Sequence, residues 1–257
     1  MSRLFCAASG NGPTVILIHG WGLHSGVFDV MSVALAHHAR VLAPDLPGHG
    51  RSPDPDSVQL DDWTRLVASC IATPPAIWVG WSLGAFLALR AASIVPEFVR
   101  ALVLIAATPR FVQAPGSPAG MDPSVLTEFA DELETDYVRT LSRFIALQFG
   151  AGAHEREAVR ALRRALSARP PTPNGLRAGL AILQRTDVRD ELARIRVPVR
   201  VIHGARDRLV PPAAAEFISS HVAQGRCEVI PGAGHAPFLT DADVVLRHIG
   251  ELVNASP

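Results

Sequence analysis

The chain has 257 residues, 48% hydrophobic and 19% charged, which fits a folded globule with a sizeable core and excludes a disordered chain. Acidic and basic residues balance at 24 each, so net charge gives no pull toward nucleic acid or an anionic membrane. Every basic residue is arginine, which removes Schiff-base lysine chemistry and a P-loop lysine together.

The N-terminal apolar patch Leu4 to Ala8 is too short for a signal-peptide core. Thr14 to His19 reads as a buried strand and runs into His19-Gly20-Trp21-Gly22. Arg40 to Asp45 is a second strand, leading to Pro47-Gly48-His49-Gly50-Arg51-Ser52, a turn and not a phosphate cradle. A helix over Leu60 to Ala72, a strand over Ala76 to Gly80, a helix over Leu83 to Val95 and a strand over Ala101 to Ile105 follow. Pro109 to Pro123, with four prolines and two glycines, reads as a linker. From Ser124 to about Gln184 only helical periods occur. The strand pattern then resumes at Val197 to Ile202, followed by a helix from Ala213, a strand at Cys227 to Ile230 and a last helix from Asp241.

Apolar strands alternating with helices predict an α/β fold, a mostly parallel sheet covered on both faces. Residues 1–112 and 185–257 form its discontinuous core. Residues 113–184 form a helical cap inserted over the sheet's carboxyl edge, where such folds bind ligands. The longest uninterrupted apolar run, Ala101 to Ala107, cannot span a membrane. Cys6, Cys70 and Cys227 are odd in number, widely separated and without a CxxC pair, which argues against a disulfide framework or zinc site and for a reducing cytoplasm.

Gly80-Trp81-Ser82-Leu83-Gly84 lies between a predicted strand and a predicted helix. That context suits a sharp turn that lifts the serine hydroxyl above the sheet; the bland alternative is a serine capping the helix. Asp207 and His235 follow later strands in the glycine-containing loops Gly204-Ala-Arg-Asp207 and Gly232-Ala-Gly-His235, in the order an α/β-hydrolase places its acid and base. The alternatives are a cap or an Arg206/Arg208 partner for Asp207 and an idle loop histidine for His235. Read together, Ser82 is the nucleophile, His235 the general base and Asp207 the group that orients it. The backbone N–H groups of Trp21 and Leu83 are the expected oxyanion hole. No metal or organic cofactor is needed.

HGWG from His19, Asp45-Leu-Pro-Gly-His-Gly-Arg-Ser52, Trp78-Val-Gly-Trp-Ser-Leu-Gly84, Arg143-Phe-Ile-Ala-Leu-Gln148, Gly179-Leu-Ala-Ile-Leu183 and His235-Ala-Pro-Phe238 span nearly the whole chain. In this combination they resemble the pimeloyl-[acyl-carrier protein] methyl ester esterases of biotin synthesis. The resemblance implies a methyl ester on a carrier-bound acyl chain as substrate. It also implies that Trp21, Ser82, Leu83, Phe144, Ile145, Ala146, Leu147, Gln148 and His235 bind the substrate, with Phe144 to Gln148 lining an acyl tunnel and Gln148 giving a polar contact; a cap core packed on the sheet is the plainer reading of the apolar stripe in the cap. One departure is Ala85, where a second glycine is common, which bears on helix packing and not on chemistry.

Charge layout adds independent support. Asp122 to Asp136 holds six acidic residues and no basic one, whereas Arg139 to Arg169 holds seven arginines against Glu155 and Glu157. Arg139 and Arg143 share one helical face by their spacing of four, as do Arg156 and Arg160. Arginine forks suit an acidic carrier protein and its phosphopantetheine phosphate; a solvated helix face is the alternative. The expected protein is a cytoplasmic monomer whose partner is an acyl carrier protein, with no nucleic-acid or membrane partner. A general short-chain carboxylesterase and a non-catalytic ligand-binding member of the fold are the competing readings.

Overall fold

The computed structural model describes residues 3–116, 120–147 and 153–255. Seven strands form one sheet in the order β1-β3-β2-β4-β5-β6-β7. They are β1 (Cys6–Ser9), β2 (Thr14–Ile18), β3 (Arg40–Pro44), β4 (Ala76–Trp81), β5 (Val99–Ile105), β6 (Val199–Gly204) and β7 (Gly225–Ile230). Among the strands of the described residues only β1 is antiparallel, to β3; every other strand pairing in the sheet is parallel. The five residues of β2 and the six of β4 are all buried, as β-branched runs covered on both faces must be.

The helices in chain order are α1 (Asp29–Leu35), α2 (Leu60–Ala68), α3 (Leu83–Ile94), α4 (Pro123–Leu147), α5 (Ala153–Ala168), α6 (Pro173–Arg185), α7 (Ala213–His221), α8 (Pro237–Thr240) and α9 (Ala242–Asn254). Helix α2 turns Trp63, Thr64 and Val67 inward. Helix α3 is apolar on nearly every side and correspondingly buried. Arg90 of α3 pairs with Asp61 of α2 at 2.7 Å and with Glu191 at 2.6 Å.

Helices α4 to α6 lie in sequence between β5 and β6. Helix α6 begins as its sequence directs: Thr172 accepts the N–H of Gly175 at 3.0 Å, and Pro173 occupies the first turn. Helix α4 is not one straight rod. Asp136, at φ −153° and ψ 79°, breaks it, and its Oδ1 accepts the N–H of Arg139 at 3.0 Å to open the second segment.

Because the strands from β2 onward are parallel, the loops after β2, β4, β6 and β7 all leave one edge of the sheet. They carry Trp21, Ser82, Asp207 and His235. Cys6 and Cys70, far apart in sequence, come into contact here, which with burial pushes the Cys6 thiol well up; all three cysteines are free thiols. Among the described residues no helix is long and apolar enough to cross a membrane, and no group of three or more His, Cys, Asp or Glu could hold a metal ion.

Candidate active site

Ser82 sits at the turn between β4 and α3 with φ 52° and ψ −111°, a conformation costly for a residue with a Cβ. The turn is held by its surroundings: Ser82 N–H donates to Ile105 O at 3.0 Å, and Ala85 N–H donates to Ser82 O at 2.9 Å. Glycine is required on both sides by close approach. A Cβ on Gly80 would stand 2.3 Å from Gly84 O, and one on Gly84 would stand 2.2 Å from Ile18 O. The Ser82 side chain makes no capping bond to α3, so helix capping does not account for it.

Asp207 and His235 meet with both side chains buried. His235 Nδ1–H donates to Asp207 Oδ2 at 2.7 Å, with side-chain exposures of 1% and 0%. Asp207 Oδ1 accepts the N–H groups of Leu209 at 2.9 Å and Val210 at 3.0 Å. Burial pushes this carboxyl up, but the charge of His235 and hydrogen bonds from His203 and His235 outweigh it and hold Asp207 well below the usual carboxylate range. The His235 loop is tied to the serine turn by Trp81, whose Nε1–H donates to His235 O at 2.8 Å and whose ring packs edge-on against Phe238 at 5.0 Å. His235 Nε2 is buried and makes no hydrogen bond, so no bond to the Ser82 hydroxyl is formed in this state. Such contacts commonly tighten only when substrate is bound. An imidazole held this way at Nδ1 can take up a proton only at Nε2.

The loop after β2 is set by two histidines that the sequence reading places only within motifs. His19 donates Nδ1–H to Gly20 O at 2.8 Å and accepts Leu46 N–H at Nε2 at 2.9 Å. His49 donates Nδ1–H to Pro47 O at 2.9 Å and accepts Gly22 N–H at 3.2 Å. Burial, and for His19 also the neighbouring His49, lowers them to about 3 and about 4 respectively, so both rings are neutral near pH 7. They fix the backbone on either side of Trp21. Leu83 opens α3, so its N–H has no partner within the helix, and the helix dipole adds positive potential there.

Trp21 and the residues expected to line a tunnel fall into three groups. Trp21 and Phe144 meet edge-to-face at 4.9 Å, and Phe129 meets Phe144 at 5.8 Å. Trp21 also donates Nε1–H to Leu176 O of α6 at 2.9 Å. Ile145 is buried and Ala146 is exposed. Gln148 and the Leu147 side chain lie outside the described residues. Arg139, Arg143, Arg156 and Arg160 are all exposed, and Arg160 lies 3.4 Å from Glu157. Arg143 is engaged by Glu132 and lies 5.3 Å over the Phe129 ring.

Residues 15–248 match the α/β-hydrolase family model. The pimeloyl-[acyl-carrier protein] methyl ester esterase of Xanthomonas campestris pv. campestris is 44% identical over 249 residues, 96% of this chain and 98% of the relative. The protein of the same name from Nitrosomonas europaea is 41% identical over 241 residues, 93% and 95% of the two chains. Among solved structures, an esterase from Exiguobacterium antarcticum superposes with a TM-score of 0.89 at 22% identity, covering 99% of this chain and 96% of that one. A bromoperoxidase from Bacillus anthracis gives 0.89 at 22% identity, covering 98% and 95%. At such identity these structures speak for the fold alone, but the family match and the sequence relatives run almost end to end. The chain belongs to the α/β-hydrolase family.

Proposed function

We propose that this protein is a serine carboxylesterase that hydrolyses the methyl ester of pimeloyl-acyl carrier protein in biotin synthesis, through an acyl-serine intermediate. The observation that carries the chemistry is the buried His235–Asp207 pair, its Nε2 unpartnered, on the same sheet edge as Ser82 on its strained turn. The names of the relatives that cover the full chain support the substrate.

In this reading His235 Nε2 takes the Ser82 proton as Oγ attacks the ester carbonyl, and then returns it to the departing methanol. Asp207 stabilises the imidazolium and keeps the tautomer. The N–H groups of Trp21 and Leu83 hold the oxyanion. Water then repeats the cycle on the acyl-enzyme and releases a free carboxylate. Helices α4 to α6 form the cap, and Phe144 and Ile145 with Trp21 wall the acyl chain. Arg139, Arg143, Arg156 and Arg160 face the carrier protein. Arg163 and Arg164, beside Arg160 on α5, extend that basic surface. The enzyme works in the cytoplasm as a monomer and needs no metal or organic cofactor.

The test compares a methyl pimeloyl-carrier substrate with a small nitrophenyl ester. Arg139, Arg156 and Arg160 are changed to Glu together, sparing Arg143 because it packs on Phe129. The kcat/KM for the carrier substrate should fall at least about tenfold more than that for the small ester, and the difference should shrink as salt rises. Equal losses would overturn the docking surface. A parent enzyme that prefers free short esters would instead be a general carboxylesterase.

A further inference from the structure

The triad reading leaves one buried titratable side chain against the acid unexplained. His203 is the last residue but one of β6, with its side chain fully buried. Its Nε2 lies 2.9 Å from Val210 O and 3.2 Å from Asp207 Oδ2. Both oxygens are acceptors, so Nε2 carries the proton: it donates to Val210 O and stands within reach of Oδ2. Nδ1 is then a lone-pair acceptor, buried and without a partner.

An apolar side chain would avoid the unpaired Nδ1 but would leave the buried Val210 carbonyl without its hydrogen bond, and either orphan costs stability. What the ring gains lies at Nε2. The Asp207 carboxylate accepts Leu209 and Val210 N–H on Oδ1 and His235 on Oδ2, and His203 Nε2 stands 3.2 Å from that same Oδ2. Val210 is held twice, since its N–H binds Oδ1 while its carbonyl binds His203. His203 thereby closes the turn 207–210 around the carboxylate and leaves Oδ2 no freedom to rotate away from His235.

We propose that His203 is a positioning residue for the acid: by donating Nε2–H to both Asp207 Oδ2 and Val210 O, it aims the carboxylate at His235 and draws off part of its charge. The proposal rests on the reading of Ser82, His235 and Asp207 as the triad. It has a consequence in pH. With His203 in place, Oδ2 shares its electron density with two donors and grips the His235 imidazolium less tightly. Without that donor the His235–Asp207 pair binds its proton more strongly, and the acid limb of kcat/KM moves to higher pH.

Other charged groups around β6 are engaged or turned outward. Glu228 of β7 is held by Arg247 at 2.8 Å and His248 at 2.7 Å, Arg100 of β5 binds Ala255 O, and Arg200 of β6 lies 4.0 Å from Glu251. Glu216 of α7 and Arg206 and Arg208 in the acid's own turn are exposed, and α8 carries no charged residue.

The experiment measures kcat and KM on a nitrophenyl ester from about pH 5 to 9, as the acid limb requires, for the parent, His203→Leu, His203→Gln and His203→Asn. Urea unfolding certifies that each variant is folded, and fluorophosphonate labelling reports on Ser82. His203→Leu should lower kcat about tenfold with KM within about twofold, the pattern of a group that acts only on the chemical step. Its acid limb should rise by about half a pH unit or more. Gln carries an amide N–H at the same reach and should restore the parent profile; Asn, too short to reach, should not. A folded Leu or Asn variant with the parent's pH profile would overturn the proposal, as would a folded Gln variant shifted as far as Leu. If Leu does not fold, the Gln and Asn pair answers the same question. A parent enzyme whose Ser82 fails to label would defeat the triad itself, a result distinct from any of these.

Discussion

At the scale of single residues, the contact between α6 and the serine turn depends on one missing methyl group. A Cβ on Gly179 would stand 2.6 Å from Trp21 Cδ1, 3.2 Å from its Nε1 and 3.4 Å from a methyl of Leu83. The indole cannot easily retreat, because its Nε1–H is bound to Leu176 O and its ring meets Phe144. Gly179→Ala therefore pushes on both residues assigned to the oxyanion hole. Helix propensity alone favours alanine by up to about 1 kcal/mol, whereas overpacking a tight interior costs about 1–3 kcal/mol. The second effect should win, with a lower urea midpoint and a kcat on the nitrophenyl ester reduced about tenfold. Unchanged stability and kcat would show that α6 yields freely and that Trp21 is not held as described.

At the scale of elements, α4 shows how one side chain divides a helix into two. Asp136 ends the acidic half and caps the half that carries Arg139 and Arg143, while the Arg143–Glu132 pair spans the break. Asp136→Ala should cost about 1 kcal/mol, the usual loss of a capping side chain. It should also loosen the arginine-bearing segment, so turnover of the carrier-linked ester should fall further than that of the small ester. A folded variant with equal effects on the two would separate the cap's charge from its local geometry. The sequence carries the helical period and the charge layout of this element but not its break, because an aspartate is compatible with a helix surface and with a cap. Strand β1 is similarly hidden: Cys-Ala-Ala-Ser has no β-branched residue and owes its form to pairing with β3. Ser82, Asp207 and His235 are readable because each stands in a glycine-containing turn just past an apolar run. His203 is not, since it reads only as the residue after the apolar run that ends at Ile202, and only the folded turn brings Asp207 back against it.

At the scale of the whole molecule, the buried histidines of the loops after β2 and β3 make stability depend on pH. His19 and His49 are held at about 3 and about 4 in the fold, against 6.5 for a free histidine. Between pH 6.5 and about 4 the unfolded chain takes up protons that the folded chain refuses. Stability is thus fully present above that interval and falls as pH drops through it, by up to about 1.4 kcal/mol per pH unit for each histidine. The depressed carboxyls of Asp45, Asp187 and Asp207 act elsewhere: they stabilise above the usual value of 3.8 and lose that contribution only below it. Urea midpoints measured from pH 7.5 to 4.5 should therefore decline steadily below about pH 6.5. His49→Gln, which removes one of the two rings, should reduce that slope by about half. A midpoint flat across this range would mean that the two rings accept protons without disturbing the loops they hold. The arrangement around Trp21 would then not depend on neutral imidazoles.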